Sequence, residues 1–235
     1  MKDFELFFNG HNCREFNLIV SKYSSIPRLN EEYEEVEIEG RNGSLYVNKG
    51  TYKNRKIDIE FKLIAKEEYY IDFEKVEKWL NTIEDNSLIY GRGDRRFAVK
   101  KLIVGDLTKE IRVCGVFKVT FICEPFQQDI EETSIDVIKN NNVYISGDFE
   151  AEPTFEIEGN GNISIDINNS LEVTIKEVKD KVILNSKLML CLNADGNSIL
   201  NKMYGNFPTL KPGENTIVIN GAITKAILNF RNLYR

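Results

Sequence analysis

A chain of 235 residues can hold one large core or two modest ones, and 42% hydrophobic with 29% charged residues is ordinary globular composition. Acidic residues outnumber basic ones 37 to 31, a net charge of −6. That sign argues against gripping nucleic acid by its phosphates, though not against a channel that DNA slides past. The lone histidine, His11, argues against a Ser-His-Asp site, a Cys-His site or a multi-histidine zinc centre.

In chain order, Phe4–Phe8 predicts a strand, Asn9-Gly10 a tight turn, and Glu15–Val20 the returning arm of a hairpin. After the break at Ser24-Ser-Ile-Pro27, Tyr33–Glu39 alternates, with Val36 and Ile38 on one side and Glu35, Glu37 and Glu39 on the other. Gly40-Arg-Asn-Gly43 turns the chain and Leu45-Tyr-Val47 returns. These two arms have few apolar residues for their length, so they must lie exposed or pack on something else. Lys56–Leu63 is the cleanest strand, with Ile57, Ile59, Phe61 and Leu63 inward. One helix is expected over about 72–84, capped by Asp72, with Phe73, Val76, Leu80 and Ile83 on its apolar face and Trp79 at the margin. It should cover the first sheet. Strands are expected at Leu88–Tyr90, Phe97–Val104 and Ile111–Cys123, the last continuing to a stop at Pro125. Phe117, Val119, Phe121 and Cys123 share one face of it.

The second half predicts only short strands. Glu152–Glu158 and Ile163–Ile167 are expected as a hairpin around Gly159-Asn-Gly-Asn162. Leu171–Ile175, Val182–Leu184, Met189–Leu192, Asn215–Ile219 and Lys225–Phe230 follow. Such a pattern reads as an antiparallel β-sandwich. The expected fold class is therefore mainly β, an antiparallel domain over 1–133 with one covering helix, then a sandwich over 134–235.

The isolated motifs have plain explanations. Arg92-Gly-Asp94 fits a hairpin tip. Cys13, Cys114, Cys123 and Cys191 have no C-x-x-C spacing and read as reduced core thiols, which suits a cytosolic folding compartment. Asn193–Asn197 misplaces the glycine and glutamate of a calcium loop. The start, Met1-Lys-Asp-Phe-Glu5, shows no signal-peptide pattern, and no stretch has the length of a membrane helix. No cofactor, metal site or catalytic group is expected.

The order of several features resembles the distal tail protein family of siphophages and prophages of Gram-positive bacteria. They are Ser25-Ile-Pro27, Glu39-Gly-Arg-Asn-Gly-Ser-Leu45, Tyr52-x-x-Arg55 with the Ile57–Leu63 strand, and Val76-x-x-Trp79-Leu80. Gly115–Phe126, Glu152-Pro153, Gly205–Asn215 and the basic Arg231–Arg235 complete the set. The resemblance spans nearly the whole chain. It implies a hexameric ring around a channel, with a galectin-like sandwich outside, acting as the hub of the adsorption apparatus at the virion tail tip. Its partners would be further copies of itself, the tail-tube protein, the tail-tip (tail-associated) protein and the tape-measure protein, assembled in the host bacterial cytoplasm. No sequence-specific nucleic acid and no membrane insertion are implied. For the subunit interface the underfilled hairpin is the candidate, through Tyr33, Val36, Ile38, Arg41, Leu45, Tyr46 and Tyr52. An alternative is a carbohydrate-binding, host-receptor-recognition module in the second half, although that half has neither Trp nor His and lacks the sugar-binding cluster of true galectins. A second alternative is an enzyme, against which the near-absence of histidine counts.

Overall fold

The computed structural model describes residues 5–22, 25–64, 69–106, 108–111 and 114–235. The chain divides into two compact units, Met1–Ile130 with Arg235, and Glu131–Tyr234. It is mainly β, with one α-helix among the described residues.

The strands of the first unit are β1 (Leu6–Phe8), β2 (His11–Asn12), β3 (Leu18–Val20), β4 (Glu31–Val36), β5 (Leu45–Tyr52) and β6 (Arg55–Ile64). After helix α1 (Tyr69–Asn81) come β7 (Ser87–Tyr90), β8 (Arg95–Val104), β9 (Thr108–Ile111) and β10 (Cys114–Asp129). The main sheet runs β2-β1-β7-β8-β10-β6-β3, with β9 also on β10. Strand β10 is its centre. Phe117 stands opposite Phe61, Val119 opposite Ile59 and Phe121 opposite Ile57, and all six side chains are buried. The alternation in both strands thus places two inward faces on one surface.

Helix α1 covers that surface. Phe73 meets Phe117 edge-on at 5.5 Å, and Trp79 meets Phe8 edge-on at 5.9 Å. Burial of Val76, Trp79 and Leu80 stabilises the packing by roughly 1.5–3 kcal/mol per side chain. Its limits differ from the expected 72–84. Asp72 is not a cap but a buried residue inside the helix, bonded by Lys75 Nζ at 3.2 Å. Ile83 lies beyond the last turn and is exposed, while Trp79 belongs to the core. Asn9 closes the helix from another strand's end. Its Nδ2 donates to the carbonyls of Trp79 (3.1 Å) and Thr82 (2.6 Å), and its Oδ1 accepts from the N–H groups of Glu84 (2.8 Å) and Asp85 (2.9 Å).

Three further expectations are corrected here. The Asn9-Gly10 turn joins β1 to His11–Asn12, not to Glu15–Val20; residues 13–16 form a 3-10 turn, and Leu18–Val20 pairs instead with β6. Ile111 belongs to β9, which folds back on β10, so Ile111–Cys123 is not one strand. Pro125 does not end β10. Cys123 pairs with Val99 and Gln127 with Phe97, so residues 124–126 bulge and pairing resumes. A bulge leaves unpaired the position whose N–H proline lacks.

All four cysteines are buried and free. Burial pushes the Cys123 thiol up to about 12 and the Cys191 thiol up to about 11. Since the thiolate is the reactive form, native protein at pH 8 should take up no iodoacetamide at these two positions, and unfolded protein should alkylate at both. Mass spectrometry checks this, and rapid native labelling would contradict it.

In the second unit the strands are β11 (Thr133–Asp136), β12 (Asn142–Ile145), β13 (Thr154–Ile167), β14 (Ser170–Val178), β15 (Lys181–Asn185), β16 (Leu190–Asn193), β17 (Met203–Gly205) and β18 (Gly213–Phe230). Strands β13 and β18 are long and pair with each other twice, Thr154–Asn160 with Ala222–Asn229 and Ser164–Ile167 with Ile217–Asn220. The first half of β13 has β15 on its other edge and the second half has β14. The sheet therefore curls into a sandwich-like body, with Phe155, Ile157, Ile163, Ile165, Val173, Leu184 and Leu228 in one core. Gly159-Asn-Gly-Asn162 is thus a corner within one strand, not the turn of a hairpin, and 215–219 and 225–230 are one strand.

Candidate assembly surface

Strands β4 and β5 form a two-stranded sheet of their own. Every residue in them is exposed except the half-buried Glu32 and Tyr52. A lone two-stranded hairpin is marginal in water. This one is knit by its own side chains. Tyr33 donates to Glu31 (2.6 Å), Asn48 donates to the same carboxylate (3.0 Å), and Tyr46 and Ser44 both donate to Glu35. The hydroxyls of Ser44 and Tyr46 hold the Glu35 carboxyl below its ordinary range, and donation to Glu31 pushes the Tyr33 phenol up.

Opposed residues of an antiparallel pair share a face. Tyr33 pairs with Asn48 and Glu35 with Tyr46, which makes one face a hydrogen-bonded lattice of tyrosines and glutamates. The other face carries Val36 opposite Leu45, and Val47 opposite Glu34. Val36, Leu45 and Val47 are 37%, 40% and 45% exposed, so an apolar strip lies open to water. Ile38 and Arg41 sit in the tip, where the Arg41 N–H bonds the Ile38 carbonyl and Gly40 and Gly43 take positive φ of 78° and 79°.

The seven residues expected at the interface are thus distributed, not gathered. Val36 and Leu45 share the apolar face, Tyr33 and Tyr46 the polar one, and Ile38 and Arg41 the tip. Tyr52 is at the root, half-buried and edge-on to Phe126 at 5.2 Å. Val47, which alternates with Leu45 in the sequence, extends the apolar face beyond those seven residues. Arg92 and Asp94 pair with each other at 2.7 Å at the exposed β7–β8 turn, which fits the hairpin tip. His11 is exposed and bonded to Glu15 at 2.8 Å. Among the described residues no group of three or more His, Cys, Asp or Glu side chains is placed to hold a metal, and no helix is long and apolar enough to cross a membrane.

No curated protein sequence matches the chain. Among solved structures, it is similar to the Dit (gp 19.1) protein of phage SPP1, described as a paradigm of the hub adsorption apparatus in phages infecting Gram-positive bacteria. That match has TM-score 0.68 and 12% identity and covers 100% of both chains. A chain of the phage P2 baseplate, solved in its activated conformation with Ca, gives TM-score 0.47 and 9% identity over 90% of this chain and 91% of that one. Residues 11–123 match the model of the phage tail protein RIFT-related domain. Much of the first unit thus resembles a phage tail protein RIFT-related domain, and the whole chain shares the fold of the SPP1 Dit protein.

Proposed function

We propose that the chain is a structural hub of a phage tail. Copies of it form a ring, a hexamer by the resemblance, at the distal end of the tail tube, joining tube to adsorption apparatus and leaving a channel for DNA. The first unit forms the ring. Tail-tube, tail-tip and tape-measure proteins are its partners within the virion, and no bond is made or broken. The observation that carries this reading is the β4–β5 hairpin, which extends an uncovered apolar strip with no core of its own. A head-to-tail contact that closes on itself makes a ring and buries such an arm on each neighbour.

Light scattering and negative-stain images of the purified protein test the ring; a lone subunit at every concentration would end that reading. Removing Glu39–Leu45 should leave a folded monomer with an unchanged melt, since the excised residues lie at the exposed tip. Rings that survive the excision would reassign the interface. With a net charge of −6, the assembled particle should show no tight, salt-sensitive retention of duplex DNA in a gel-shift series.

A further inference from the structure

At the root of the hairpin a pocket is lined by Ile26, Pro27, Leu29 and Tyr52, by the cations Arg28, Arg55 and Arg235, and by Glu31. Arg55 is only 5% exposed. Its Nε donates to the Pro125 carbonyl and one terminal nitrogen donates to the Pro27 carbonyl at 3.2 Å, while the group lies 5.8 Å over the Phe97 ring. The other terminal nitrogen is buried with no acceptor among the described residues. Among the described residues no carboxylate pairs with it either. Glu31, in the same pocket, is taken by Tyr33 and Asn48, and Cys123, directly opposite in the sheet, is held protonated by burial at about 12. A buried guanidinium with an orphan N–H and no counter-charge is destabilising in a lone subunit. The orphan nitrogen itself is closed to an incoming group, but a carboxylate seated in the pocket that Arg55 lines would supply the missing counter-charge.

The hairpin tip carries such carboxylates. Glu37 and Glu39 make no hydrogen bond or ion pair among the described residues, and Ile38 between them is 44% exposed. At about 3.4 Å per residue the tip stands roughly 20 Å from its own root, so it cannot serve its own Arg55. We infer that the Glu37–Glu39 tip of one subunit docks in the root pocket of the next, giving a carboxylate to Arg55 and Ile38 to the apolar wall of Ile26 and Leu29. The hairpins then run tip to root around the ring. This rests on the ring reading and adds its register.

Sedimentation of the full chain tests it. The Glu37→Gln/Glu39→Gln variant should weaken self-association by at least about thirtyfold, as loss of one partner of a buried charged contact does, without moving the melt. Arg55→Gln should show a similar loss, and the combined variant should be no weaker than the worse of the two, because both remove one contact. Losses that multiply would overturn the proposal while leaving the ring intact. Should Arg55→Gln fail to fold, Ile38→p-benzoylphenylalanine decides. Irradiation should join it to residues 26–29 of a second copy; adducts confined to other segments would overturn the docking. Wild-type protein that never associates would sink the ring reading and this one with it.

Discussion

Replacing Asn9 by alanine is expected to destabilise the first unit by about 5–6 kcal/mol, at about 1 kcal/mol per hydrogen bond lost plus the strain of a left-handed residue. The side chain makes four bonds across the end of α1, and its φ is 52°. Asn9→Asp separates the two roles. Aspartate keeps the two acceptor bonds and tolerates the backbone, but it cannot donate to the Trp79 and Thr82 carbonyls, and it sets negative charge against the negative end of a helix. It should cost roughly 2–3 kcal/mol, less than alanine. Trp79 is the only tryptophan and donates its indole N–H to the Phe8 carbonyl at 3.0 Å, so its fluorescence reports this region during urea unfolding. An alanine variant with the wild-type midpoint would show that the cap contributes nothing.

The second large effect is expected at the corner of β13. A Cβ on Gly159 would stand 2.5 Å from the Ala222 carbonyl oxygen and 3.0 Å from the Ile223 Cα. Both are backbone atoms of β18, so no rotamer change can make room, and the two strands must separate. Gly159→Ala should therefore cost about 3 kcal/mol, at the upper end for overpacking. Gly161→Ala is the control. A Cβ there meets nothing within 4 Å, although φ is +86°, so only the left-handed strain of about 1–2 kcal/mol applies. Melting followed by circular dichroism should rank Gly159→Ala below Gly161→Ala and both below wild type. The reverse order would mean that the close approach relaxes freely.

These two sites show what can be read along the chain and what cannot. Strands β6 and β10 were legible because each is half-buried, and burial on one face imprints a period of two on Ile57–Leu63 and Phe117–Cys123. The open hairpin was legible for the opposite reason, its shortage of apolar residues. The split of Tyr33 from Val36 and of Leu45 from Tyr46 follows the alternation along its strands, whereas the place of Tyr52 does not, since a register shift between Glu31 and Tyr33 intervenes. The corner at Gly159–Asn162 has the composition of a hairpin turn, and only its distant pairing with β18 keeps the strand continuous. Asp72 has the chemistry of a cap, yet Tyr69, Tyr70 and Ile71 are already helical ahead of it. The true closing group at the other end, Asn9, comes from some seventy residues away, beyond the reach of any local pattern.

The corner has a mechanical consequence. In most sandwiches the two faces touch only through side chains, which can creep past one another under load. Here β13 and β18 pass through the bend as unbroken backbone, so a force on either face is carried to the other by covalent bonds. Such a body resists shear and turns as one piece.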